Sequence, residues 1–161
     1  MTDRLDNLEP GPLWGCFLEL SKIPRGSGHE VEAAAWVAEQ ARRMGCEVSQ
    51  DEAGNVLARK PATRGREGAP TVALQAHVDM VCEKDPDVAH DFLRDPIPVV
   101  RDGDRIRAAG TTLGADDGIG VAAALAVLAS RDIPHGPLEV LITVDEERGL
   151  EGAKHVPAGL L

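Results

Sequence analysis

One histidine and a set of carboxylates fall in three short clusters along this chain: Gln75-Ala76-His77-Val78-Asp79, Gly114-Ala115-Asp116-Asp117-Gly118 and Asp145-Glu146-Glu147. An imidazole together with several carboxylates suits zinc, with manganese or cobalt as alternatives. His77 can offer a ring nitrogen to a divalent ion. Asp79, two residues on in an extended chain, points to the same side and is placed to hold that ring, as carboxylates behind metal-bound histidines do. Asp116 has two carboxylate oxygens and can bridge two ions ~3.5–4 Å apart. Asp117 is the better candidate for capping the helix that follows. Glu146 and Glu147 point in opposite directions if the chain is extended. One can then ligate metal while the other takes a proton from a water within hydrogen-bond reach. The chemistry this set points to is metal-assisted hydrolysis.

Each cluster alone has a plainer explanation: a strand-end His with an exposed Asp, a helix cap with a favourable dipole charge, a charged strand end entering a loop. Their placement argues for more. The apolar runs Thr71 to Leu74 and Leu138 to Val144 end directly in the first and third clusters. Ligand sites in open α/β sheets lie at the carboxyl ends of strands.

The elements that must position these residues follow from the apolar periodicity. Leu13, Phe17 and Leu20 predict a short helix over residues 12–21, ended at Ile23-Pro24. Ser27-Gly28-His29-Glu30 has the form of a capping box. Val31, Ala34, Ala35, Ala38 and Ala41 then share one face of a second helix, with Gly45 as its C-cap. Residues 47–60 read as a hairpin turning at Ala53-Gly54-Asn55, and residues 98–107 as another around Asp102-Gly103-Asp104. The runs at residues 71–76 and 138–144 predict strands buried on both faces. Residues 118–130 form a small-residue helix, and His135-Gly136-Pro137 a turn. The sum is an α/β fold, a mixed sheet flanked by helices.

Composition narrows the partners. A chain of 161 residues with 43% apolar residues can build one core, although aromatics are only 2%. A formal charge of −10 argues against nucleic acid or an anionic membrane as partner. The polar N-terminus shows no secretory leader, and no apolar stretch approaches a membrane span, so a cytoplasmic location is expected. Cys16, Cys46 and Cys82 are expected to be free thiols. The Gly114–Gly120 stretch matches a dinucleotide-binding glycine pattern. The residues before it do not form an apolar strand, its two aspartates would repel phosphate, and the chain has no tyrosine to act as that chemistry's acid.

The strings LQAHVDMV (74–81), HDFLRDPI (90–97), GTTLGADDGIG (110–120) and HGPLEVLITVDEERGLEGA (135–153) resemble those of the bacterial aminoacyl-histidine (Xaa-His) dipeptidases, within the carboxypeptidase-G2-like two-metal exopeptidases. The resemblance runs from about Pro12 to about Gly152. It implies a zinc-exopeptidase-like catalytic domain holding two Zn²⁺ per complete site. His77 would ligate the first metal, Asp116 would bridge both and Glu147 would ligate the second. Glu146 would be the general base, and Asp79 would orient His77. It also implies small peptide substrates, notably dipeptides with C-terminal histidine such as β-alanyl-histidine. Members of that family are longer, with further ligands and a lid or dimerisation domain through which they can form homodimers. Residues 1–161 are therefore expected to be the N-terminal part of a metallopeptidase catalytic domain, truncated and without that lid. Such a piece would have an exposed sheet edge, an under-ligated metal pair and either poor stability or a tendency to self-associate. The alternative expectation is a catalytically silent metal-binding or interaction fragment.

Overall fold

The computed structural model describes residue 5 and residues 7–161. Residues 1–4 and 6, part of the stretch read above for a leader, lie outside the described residues. Three helices, α1 (Gly11–Leu20), α2 (Val31–Arg43) and α3 (Ala115–Ala129), accompany six strands, β1 (Glu47–Gln50), β2 (Val56–Lys60), β3 (Val72–His77), β4 (Val99–Asp102), β5 (Arg105–Ala108) and β6 (Leu138–Thr143). Four strands form a mixed sheet in the order β1-β2-β6-β3, and β4 and β5 form a separate hairpin. β3 runs parallel to β6, with His77 opposite Thr143, while β2 pairs antiparallel with both β1 and β6. The carboxyl ends of β3 and β6 are thus adjacent, which brings the first and third clusters together.

The core lies between the sheet and the helices. Val56, Ala58, Ala76, Val140 and Ile142 face Val37, Ala38, Ala41, Val121, Leu125 and Leu128. Small side chains let α3 lie close to α1: a Cβ on Gly118 would sit 3.3 Å from the Phe17 ring. α2 closes with Gly45 at φ 81°, where Cys46 N–H donates to the Ala41 carbonyl and Gly45 N–H to the Arg42 carbonyl, a Schellman ending.

Three expectations need correction. β3 is not buried on both faces: it is an edge strand whose first residues are exposed, Val72 by 49%. β6, an apolar run of the same kind, is the buried central strand. α2 buries Ala34, Ala38 and Ala41 as expected, but its inward face is rotated, so that Val31 and Ala35 are exposed and Ala33 and Val37 take their places in the core. Ser27 does not cap α2; its hydroxyl donates to Asp79, 52 residues away. A short 3-10 helix at Gly152–His155, which the periodicity did not reveal, follows the third cluster.

Candidate metal centre

His77 ends β3 and is nearly enclosed. Its Nδ1 lies 3.2 Å from the Asp79 carbonyl oxygen and 3.3 Å from Asp79 Oδ1. With Nδ1 occupied, Nε2 faces outward, 3.1 Å from Asp116 Oδ1 and 3.8 Å from Glu146 Oε2. Burial disfavours the imidazolium, yet the hydrogen bonds to Asp79 and Asp116 and the nearby Glu146 outweigh it and push the His77 pKa up to about 9.

Asp79 is fully buried and is the most heavily bonded group of the site. Besides His77, its Oδ2 accepts from the Ser27 hydroxyl at 2.7 Å and from Glu147 N–H at 3.2 Å, and its Oδ1 accepts from Glu146 N–H at 3.0 Å. Burial alone would raise its pKa. The bonds from His77, the Glu146 amide, Ser27 and the Glu147 amide hold it well below the usual carboxylate range. One carboxylate therefore fixes both the His77 ring and the backbone carrying Glu146 and Glu147.

Asp116 and Asp117 precede the regular part of α3. Gly114 is in the left-handed region at φ 67°, the Asp116–Asp117 peptide is cis, and neither aspartate has helical dihedrals. Asp117 Oδ1 accepts from Gly120 N–H at 3.1 Å, which is the capping role expected of it. Burial raises its pKa, and the Asp116 charge adds to that. Glu147 shifts in the same direction, by desolvation first and then by neighbouring carboxylates.

Donor atoms of His77, Asp116 and Glu147 all lie within 4.8 Å of one another. The 3.1 Å between His77 Nε2 and Asp116 Oδ1 is close to the edge of a tetrahedron with metal–ligand bonds of about 2.0–2.1 Å, which is about 3.3 Å. The donor types fit a divalent ion, and the His77–Asp116 spacing is that of two ligands on one ion. Beside Glu147 opens a cleft of about 320 Å³, lined among others by Ser27, His29, Met80, Leu93 and Arg148. Behind Asp79, a second acidic group joins Glu30 and Asp145, and Asp145 is paired with Arg148 at 2.5 and 2.7 Å.

All five residues singled out in the sequence, His77, Asp79, Asp116, Glu146 and Glu147, meet at the end of β3 and β6. His90 is not among them and packs edge-on against Phe92 at 4.5 Å between ring centroids. His135 forms part of its turn, Nδ1 lying 2.7 Å from the Gly136 carbonyl. Sequence reasoning missed Arg25 and the true role of Ser27, because their partners are 52 to 89 residues away.

A mixed sheet that gathers a histidine and several carboxylates at adjacent strand ends is the arrangement shared with peptidases of known structure. The profile of peptidase family M20/M25/M40 matches residues 73–161, and the chain belongs to that family. It is 51% identical over 150 residues to the cytosol non-specific dipeptidase of Escherichia coli (strain K12), covering 93% of this chain and 31% of that protein. The crystal structure of aminoacylhistidine dipeptidase from Vibrio alginolyticus superimposes with a TM-score of 0.94 at 49% identity, covering 98% of this chain and 32% of that one. A tripeptidase from Staphylococcus aureus matches with a TM-score of 0.76 at 32% identity, over 93% of this chain and 40% of its own. The chain thus spans about a third of the length of these relatives. No helix among the described residues is long and apolar enough to cross a membrane.

Proposed function

We propose that this chain forms the N-terminal part of a metallopeptidase catalytic domain that hydrolyses dipeptides in the cytoplasm. Those with C-terminal histidine, such as β-alanyl-histidine, are the substrates favoured by the resemblance to aminoacyl-histidine dipeptidases. The observation that carries this reading is the meeting of His77, Asp116 and Glu147 donor atoms within 4.8 Å, with the Glu146 carboxylate alongside. His77, Asp116 and Glu147 would hold the metal, zinc first and manganese or cobalt as alternatives, with Asp116 able to bridge a second ion. When bound, a divalent ion supplies Lewis-acid polarisation of the peptide carbonyl and lowers the pKa of a water.

The chain's own residues do the rest. Asp79 engages His77 Nδ1 and leaves the Nε2 lone pair directed into the site. Glu146 takes a proton from the attacking water at a carboxylate oxygen as the C–O bond forms. It returns that proton to the amine nitrogen as the C–N bond breaks. The cleft beside Glu147 would receive a side chain of the substrate. The charge of −10 supports a small peptide rather than nucleic acid or an anionic membrane as partner.

The test is to load the purified chain with Zn²⁺ or Mn²⁺, measure bound metal, and follow β-alanyl-histidine hydrolysis against Glu146→Ala. Metal uptake, with turnover abolished by Glu146→Ala, is the expected result. Activity that survives Glu146→Ala would sink the base assignment. Absence of both metal and turnover would favour a catalytically silent fragment.

A further inference from the structure

Behind the metal centre sits an arginine that none of the chemistry above uses. Arg25 is 1% exposed and lies in the segment joining α1 to α2. Its guanidinium donates its hydrogen bonds to backbone carbonyls rather than to carboxylates. Nη1 donates to Val78 O at 2.9 Å and, more weakly, to Asp79 O at 3.5 Å, and Nη2 donates to Gly114 O at 2.6 Å. These acceptors belong to two segments far apart in sequence. Val78 and Asp79 directly follow His77, and Gly114 lies two residues before Asp116.

Burying a guanidinium is costly, and burial lowers the Arg25 pKa to about 10 even though Asp79, Cys82 and Asp117 pull it upward. A packed aliphatic side chain would fill this volume without that cost. What it could not do is tie two loops together through a planar fork of donors at fixed spacing. The α3 end of the site is built around the group. A Cβ at Gly114 would stand 2.5 Å from Arg25 Nη2, and one at Gly118 would stand 2.6 Å from it. The same segment makes two further ties to the His77 side: Met80 N–H donates to the Arg25 carbonyl at 3.1 Å, and the Ser27 hydroxyl donates to Asp79 Oδ2 at 2.7 Å.

We propose that the Arg25–Ser27 segment is a positioning element of the metal centre, Arg25 setting the separation of His77 from Asp116 and Ser27 setting the orientation of the Asp79 carboxylate. This rests on the reading of His77 and Asp116 as ligands of one ion. Neither residue touches the ion; both act through the backbone and side chains that do. Substituting a group behind a metal ligand typically lowers metal affinity by about 10–100-fold.

The experiment measures Zn²⁺ affinity by equilibrium dialysis and the visible absorption of bound Co²⁺ in the full chain, for wild type, His77→Ala, Arg25→Lys, Ser27→Ala and Lys60→Met. Lys60 is a matched control: its ammonium donates to the Leu128 carbonyl at the opposite end of the sheet, where β2 pairs with Leu138. Lys60→Met should bind Zn²⁺ like wild type. His77→Ala should lose binding. Arg25→Lys should lose about 10–100-fold with an altered Co²⁺ spectrum, and Ser27→Ala should lose less in the same direction. If Arg25→Lys fails to fold, Gly118→Ala replaces it, since that methyl would displace the guanidinium without substituting any ligand residue. Wild-type affinity and spectrum in Ser27→Ala and in the Arg25 or Gly118 variant, with binding lost in His77→Ala, would overturn the positioning role and leave the ligand reading standing. A wild-type chain that binds no Zn²⁺, or a His77→Ala that binds it unchanged, would overturn the ligand reading and this inference with it.

Discussion

The His77 and Asp79 side chains are 9% and 0% exposed, whereas Asp116, only 3.1 Å from His77, is 88% exposed. On the β3 side, the Asp79 carboxylate is held by several buried partners: it engages the His77 ring, the Ser27 hydroxyl and two backbone amides. On the α3 side, Asp116 meets only the outward nitrogen of His77. The first half is held by folding. The second half is brought near by the Gly114 turn and would be completed by whatever binds between the two. A group held by several buried hydrogen bonds serves stability and ligation together, while an exposed carboxylate can serve ligation alone.

Substitutions should therefore separate folding from metal binding. Asp79→Ala removes the carboxylate paired with the buried imidazole and takes the acceptor from a hydroxyl and two amides, and should destabilise the metal-free chain by about 3–5 kcal/mol in urea denaturation. A loss below about 1 kcal/mol would erase the contrast between the two halves. Next in size, stripping zinc with a chelator should lower the thermal midpoint. An ion at one hundred times its Kd contributes about 2.7 kcal/mol, and the shift should vanish in His77→Ala. Arg59→Ala, which breaks the 2.7 Å pair with Glu139 on the sheet away from the site, should cost about 0.2–1 kcal/mol and leave zinc affinity unchanged. The smallest stability effect should be that of Asp116→Ala, within about 0.5 kcal/mol for the metal-free chain, even though zinc affinity falls by more than tenfold. A large loss of metal-free stability in that variant would show that Asp116 is structural after all.

The same contrast bears on what the amino-acid sequence reveals. The strand-end clusters were legible because each closes an apolar run, and the parallel pairing of β3 with β6 then places their ends side by side. The runs themselves did not distinguish β6, which is central, from β3, which has no partner on its outer side among the described strands. Both are aliphatic, and only the strand order decides which is covered. The inward face of α2 was misjudged because alanines at residues 33, 34, 35, 38 and 41 make several helical phases look equally apolar. The S-x-x-E pattern at Ser27 pointed to a local cap, but the Asp79 carboxylate offers a charged and buried acceptor, and hydrogen bonds to ionised groups are the stronger ones. The ties from the Glu146 and Glu147 amides to Asp79 left no sequence signal, since backbone donors are the same at every such position. Arg25 was hidden for the same reason, its acceptors all being carbonyl oxygens.

We propose that His77, Asp116 and Glu147 hold one ion. Crystals of the chain grown with Zn²⁺ and measured at the zinc absorption edge would test it most directly. An anomalous peak about 2.0–2.2 Å from both His77 Nε2 and an Asp116 carboxylate oxygen is the result predicted. A peak that avoids His77, or zinc bound only at the Glu30 and Asp145 carboxylates behind Asp79, would contradict it.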